Sequence, residues 1–188
     1  MPGRLTLLVQ ERFSLKYSKS ALAISSRLRT MPLMKIALGA DHAGFELKGT
    51  IKQHLQKRDI ETVDEGTNSA ESVDYPDFAR RVGQVVSRRE ADLGILVCGS
   101  GIGMAIAANK VEGIRAANVS SEYEARMSRE HNDANVLALG ARILNPEQAI
   151  AIVESWLNTQ FAGGRHERRV EKIAQIEREA RARVAAER

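Results

Sequence analysis

Four places in this 188-residue chain set side by side residue types that could do chemistry. The first, Gly39-Ala40-Asp41-His42-Ala43-Gly44, puts a carboxylate and an imidazole where a strand ends and a helix begins. Asp41 could equally do no more than cap that helix. The second is Cys98-Gly99-Ser100-Gly101-Ile102-Gly103. Glycines let a backbone approach a ligand closely, and a helix start behind them offers free N–H groups to an anion. A cysteine at that positive end is a candidate thiolate; the plainer reading is a glycine-rich turn with an inert buried thiol. The third, Ser128-Arg129-Glu130-His131-Asn132-Asp133, places His131 at a helix end. It too has a structural reading, a histidine near a helix C-terminus followed by an Asn in the left-handed turn. The fourth is Gly163-Gly164-Arg165-His166-Glu167-Arg168-Arg169. Arg165 and Arg169, four apart on one helix face, would suit a phosphate, although a lone charge run is usually a solvated face. Taken together, one nucleophile or base, two histidines, a carboxylate, an anion loop and an arginine pair are what phosphorylated-sugar chemistry uses. No pair of residues has a recognisable metal-ligand spacing.

These groups need a frame, and from Met34 onward short apolar runs alternate with helical patterns. Lys35–Leu38, Ile60–Val63, Leu93–Val97, Ile114–Val119 and Val136–Leu139 read as five strands. Leu47, Ile51 and Leu55 form one helical stripe. Asp74-Tyr75-Pro76 opens a second helix, with Pro in its first turn and Phe78, Val82, Val85 and Val86 on its buried face. Further helices are expected over Met104–Lys110, over Glu122–Arg129, from Pro146 with Ile152, Val153, Trp156 and Leu157 on one side, and from about Arg165. Strands alternating with helices predict a parallel sheet covered on both faces, with ligands beyond the strands' C-terminal ends. The last helix has only Val170, Ile173 and Ile176 as an apolar edge, and its pattern alone favours a solvated helix over one docked on a partner. His54 sits among Lys52, Gln53, Gln56 and Lys57 and reads as exposed.

Charge and composition remove several classes of function. The net charge is +4, but it is carried by the two ends. Residues 1–33 hold six bases against Glu11 alone, and residues 163–188 hold eight against five acids, which leaves the middle net acidic. A basic nucleic-acid face on the folded domain is therefore not expected, and 4% aromatic residues give no stacking platform. One cysteine excludes a disulfide framework and a multi-cysteine zinc cluster. No run approaches the roughly 20 apolar residues of a membrane span. Residues 1–33 resemble an organelle transit peptide in composition, or are an extension without a role ahead of Met34; in either case they are expected to be poorly ordered. Dinucleotide binding is disfavoured because Gly99 and Gly101 are followed by Met104 where the third glycine should stand.

GADHAGFELK (Gly39 to Lys48), Asp74-Tyr75-Pro76, CGSGIGMAIAANK (Cys98 to Lys110), Gly113-Ile114-Arg115-Ala116, His131-Asn132-Asp133-Ala134-Asn135-Val136-Leu137 and Gly163-Gly164-Arg165-His166 resemble, in order, the motifs of the B-type ribose-5-phosphate isomerases. These belong with the galactose-6-phosphate isomerase subunits. The resemblance covers residues 34–177, leaving a basic extension (1–33) and a charged helical tail (178–188). It implies a Rossmann-like three-layer α/β/α sandwich with a five-stranded parallel sheet. It implies interconversion of D-ribose 5-phosphate and D-ribulose 5-phosphate through an enediolate, without metal or organic cofactor. Cys98 matches the base and Gly99, Gly101 and Gly103, with Ser100 where many members carry Thr, the hole for developing charge. His131 matches the ring-opening group, with Asp41 assisting at sugar hydroxyls. Tyr75 and Asn132 match sugar contacts; His42, Arg142, Arg165 and Arg169 match phosphate ligands, some donated by a second subunit. The resemblance thus implies a homodimer with shared sites, leaving a tetramer open, and it gives the last helix a reason to dock across the dimer. A cytoplasmic location is expected, with organelle targeting left open by the extension. The competing readings are a six-carbon sugar-phosphate isomerase and a non-catalytic sugar-phosphate binding module.

Overall fold

The computed structural model describes residues 34–187; the expectations for residues 1–33 lie outside the described residues. Five strands, β1 (Lys35–Ala40), β2 (Glu61–Asp64), β3 (Leu93–Cys98), β4 (Ala116–Asn118) and β5 (Val136–Gly140), form one parallel sheet in the order β2-β1-β3-β5-β4. Six helices connect and follow them: α1 (Phe45–Lys57), α2 (Tyr75–Ser87), α3 (Ile102–Ala108), α4 (Glu122–Asn132), α5 (Pro146–Leu157) and α6 (Glu167–Ala186). The α/β sandwich expected from the sequence is the observed fold.

Period-two alternation in the strands feeds two separate cores. Ile36, Leu38, Ile95, Val97, Leu137 and Leu139 face α1, α4 and α5, where they meet Leu47, Ile51, Leu55, Ile152 and the fully buried Trp156. Ala37, Leu96, Val136 and Ala138 face α2 and α3, against Phe78, Val82, Val86 and Met104. The residues facing α2 and α3 are smaller, and Gly39 and Gly94 share that face. A Cβ at Gly39 would lie 2.7 Å from Val82, and one at Gly94 2.8 Å from the same side chain. The small strand residues thus set how closely α2 approaches the sheet.

One polar pair is buried beside this core. Lys48, whose side chain is 4% exposed, donates to Asp64 Oδ1 at 2.7 Å and to the Thr67 carbonyl at 2.9 Å, and Lys52 reaches Asp64 Oδ2 at 2.9 Å. Burial alone would raise the Asp64 carboxyl, but the hydrogen bonds from Lys48, Lys52 and the Gly66 N–H hold it below the ordinary value. The pair pins the end of β2 to α1. His54 is half-buried rather than exposed. With Arg58 it binds Glu154, so a row of polar side chains joins α1 to α5.

Several boundaries differ from those expected. Helix α3 starts two residues earlier, at Ile102, because Gly101 takes φ +79° and turns the chain directly into it. Strand β4 has three residues, since Ile114 packs with α2 and α3 while Arg115 is drawn to the turn after α4. Helix α4 continues to Asn132, and the left-handed residue that ends it is Asp133 (φ 45°), not the Asn. Arg165 lies in the turn before α6, so Arg165 and Arg169 do not share a helix face. Gly163 and Gly164, both at positive φ, build that turn and delay the helix to Glu167. No residue of α6 is buried within the chain, and the helix passes position 178 without a break.

Candidate active site

The chain runs outward from β1 in both directions across the sheet, so β1 and β3 are the pair between which strand order reverses. A parallel sheet opens a crevice there, beyond the strands' C-terminal ends. Asp41 and His42 follow β1 and Cys98 ends β3, which places these three together. A cavity of about 460 Å³ occupies this position. Asp41, His42, Cys98 and Arg142 line it, with Gly99, Ser100, Gly103 and Tyr75.

Asp41 is 6% exposed and its Oδ1 accepts from the N–H groups of Ala43 and Gly44, both at 3.0 Å. The carboxylate therefore does organise the entry into α1, as the structural reading had it, while still lining the cavity. His42 Nδ1 accepts from the Val73 N–H at 3.3 Å. In the neutral ring this puts the proton on Nε2, making it a donor. Cys98 is 5% exposed, and the Gly101 N–H donates to its Sγ at 3.2 Å. This backbone donor fixes the position of the sulfur at the cavity wall.

The same contact accounts for Gly101, which does not line the cavity. Its N–H serves the sulfur, and a Cβ there would collide with the Asn118 side chain and lie 3.0 Å from the Leu139 carbonyl carbon. The Ile102 N–H is taken by Ser100 Oγ at 3.4 Å. Of the first-turn donors of α3, those of Gly103 and Met104 remain without a partner inside the helix. Gly103 lies under Tyr75, whose ring would be 2.7 Å from any Cβ there, and the Arg142 side chain lies over Gly99 in the same way, at 3.3 Å. Close packing of two polar side chains on a bare backbone gives the cavity an aromatic wall and a positive one. Ala43 and Ile143 complete the lining; neither carries a chemical group that sequence reasoning could have singled out.

His131, Asn132, Arg165 and Arg169 do not line this cavity. They form a second cluster, at the end of α4 and the start of α6. Asp133 accepts from Arg115 at 2.9 Å and from Arg129 at 3.0 Å, which fixes the turn that carries His131 and Asn132. The Ala162 N–H donates to the Glu130 carbonyl at 3.0 Å and ties the segment before α6 to α4. His131 stacks on His166 with ring centroids 4.2 Å apart. Burial, then the positive charges of His131, Arg165 and Arg169, hold the His166 imidazole below its ordinary value, with Glu130 opposing. His166 lay within a quoted motif, but nothing in the spacing marked it for a role.

Fold and site define a class: a doubly wound parallel α/β enzyme that presents a thiol, a carboxylate, an imidazole and a guanidinium around one small cavity at the strand switch point. Comparison with known proteins narrows the class. Residues 36–173 match the family model described as Ribose/Galactose Isomerase. The chain is similar to ribose-5-phosphate isomerase B of Escherichia coli (strain K12), with 52% identity over 145 residues, covering 77% of this chain and 97% of that one. It is similar in structure to Clostridium thermocellum ribose-5-phosphate isomerase B, with TM-score 0.78 and 54% identity over 78% of this chain and 99% of that one. The Mycoplasma genitalium ribose-5-phosphate isomerase B with bound ribulose-5-phosphate is similar at TM-score 0.74 and 44% identity, covering 78% of this chain and 97% of that one. The chain belongs to the Ribose/Galactose Isomerase family. It is an isomerase, which decides against the non-catalytic binding module.

Proposed function

We propose that this enzyme interconverts D-ribose 5-phosphate and D-ribulose 5-phosphate through an enediolate, with Cys98 as the base. The observation that carries the reading is the Cys98 sulfur at the cavity, held by the Gly101 N–H. A thiolate there takes the C2 proton of the open-chain aldose and returns it to C1, while the oxygen proton moves from O2 to O1. The backbone donors of the Cys98–Gly103 loop and the Ser100 hydroxyl stabilise the negative oxygen that develops. Asp41 binds sugar hydroxyls beside them. His42 Nε2 and Arg142 give the cavity donors suited to the phosphate.

The second cluster completes the site from another copy of the chain. His131 opens the furanose ring, Asn132 holds the sugar together with Tyr75 of the Cys98 cavity, and Arg165 and Arg169 hold the phosphate. Because one chain keeps His131, Asn132, Arg165 and Arg169 out of the cavity that holds Cys98, a homodimer that shares its two sites is the arrangement that uses both. In that dimer α6, none of whose residues is buried in its own chain, has a partner for its apolar edge.

The test is an assay of purified protein with ribose 5-phosphate in chelator-treated buffer, following ribulose 5-phosphate. Turnover is expected, with kcat/KM higher for five-carbon than for six-carbon sugar phosphates. Removing a general base costs roughly 10²–10⁴-fold, so Cys98→Ala should lose at least that much while melting as the wild type does. Full turnover by Cys98→Ala would rule out the thiol as base.

A further inference from the structure

We propose that His166 is a positioning residue that joins the guanidinium of Arg165 to the imidazole of His131, so that one stacked pair sets both phosphate contact and ring opening. The inference rests on the isomerase reading above.

Three observations meet at His166. Its ring lies flat on that of His131, 4.2 Å between centroids and 2° from parallel. It is 8% exposed, although its neighbours Arg165, Glu167, Arg168 and Arg169 are all exposed. Its Nε2 accepts from Arg165 Nε at 3.3 Å. The ring is therefore neutral, with its proton on Nδ1. The backbone keeps it in place: the His166 N–H donates to the Gly163 carbonyl at 3.0 Å, and its own carbonyl accepts from Arg169 at 2.9 Å and Val170 at 3.0 Å.

The charged and titratable groups facing this ring are His131 and Glu130 from α4, and Arg165 and Arg169 from its own segment. Two imidazolium rings at this separation repel, and Arg165 and Arg169 add to that repulsion. His166 therefore stays neutral, while the Nε2 of His131 has Glu130 at 3.8 Å. The flat contact restricts rotation of the His131 ring about its side-chain bonds. The Arg165 contact restricts the guanidinium. A misplacement of either functional group lowers the step it serves.

The experiment compares His166→Ala and His166→Phe with wild type in steady-state turnover of ribose 5-phosphate, with thermal melting of each protein. His166→Ala removes ring and acceptor, and both kcat and KM should worsen by roughly tenfold or more. His166→Phe restores a flat ring against His131 without an acceptor for Arg165. It should recover kcat but leave KM raised, with melting close to wild type. Unchanged kcat and KM in His166→Ala overturn the proposal. So does His166→Phe restoring both constants together, or melting like the wild type without recovering kcat. A wild type that turns over neither ribose 5-phosphate nor ribulose 5-phosphate would defeat the isomerase reading instead.

Discussion

At the scale of single residues, the site separates groups by what holds them. Cys98 is held by a backbone donor, His42 by another, and Asp41 spends one oxygen on two of them. Asp41 and Cys98 are fixed within the loops that follow β1 and β3, and His42 by the connection between β2 and α2. Arg165 and Arg169 are different: both are exposed and neither is buried in a core. Replacing either by Ala should therefore raise KM for ribose 5-phosphate by tenfold or more, since hydrogen bonds to charged groups are worth about 1.5–3 kcal/mol. Melting should hardly change, because substitutions of exposed residues away from special features usually stay within about 0.5 kcal/mol. Parallel loss of melting temperature and activity would mean that these arginines clamp the helix rather than the phosphate. The sequence showed which residue types were available here. It did not show that the turn at Gly163-Gly164 would separate Arg165 from the helix face of Arg169, because that depends on both glycines taking positive φ.

At the scale of elements, the Lys48–Asp64 pair carries a specific stability cost. Lys48 has almost no access to water, so Asp64→Asn leaves a buried ammonium with neutral acceptors only and no counter-charge at this position. Removing one partner of a buried pair costs roughly 3 kcal/mol or more, and chemical denaturation at neutral pH should show it. The folded-state Asp64 carboxyl titrates below its ordinary value of 3.8. Its contribution is thus fully present above 3.8 and is lost as pH falls through the lower folded value. The stability gap between wild type and Asp64→Asn should narrow in that acid range; a gap independent of pH would show that the ion pair is not its source. The helices themselves were legible from apolar spacing and start signals, as with Pro76 in the first turn of α2 and Pro146 at the start of α5. The Lys48–Asp64 pair was not, because nothing local marks a lysine that a distant strand end will neutralise.

For the whole molecule, the proposal that two clusters make one site has a direct test. Mixing Cys98→Ala with His131→Ala, each inactive alone, should restore activity once subunits exchange. In a mixed dimer one site receives the intact Cys98 of one chain and the intact His131 of the other, so random pairing of a symmetric dimer gives roughly a quarter of wild-type activity. No recovery after refolding the two together would place both residues within a single chain's site. The charge distribution fits this view. Residues 34–162 are net acidic, and the bases gather in the C-terminal segment that carries Arg165 and Arg169. No helix among the described residues is long and apolar enough to cross a membrane. By itself the sequence determined the class of fold and the chemical inventory, because strand and helix periods and glycine-rich turns are local properties of the chain. Tertiary structure alone decided that Asp41, His42, Cys98 and Arg142 share one cavity, because parallel strand order, set by packing across the sheet, brings loops far apart in sequence to the same edge. It also decided that His131 lies flat on His166 and apart from Cys98, which follows from how the start of α6 is tied to the end of α4 and cannot be read from either segment alone.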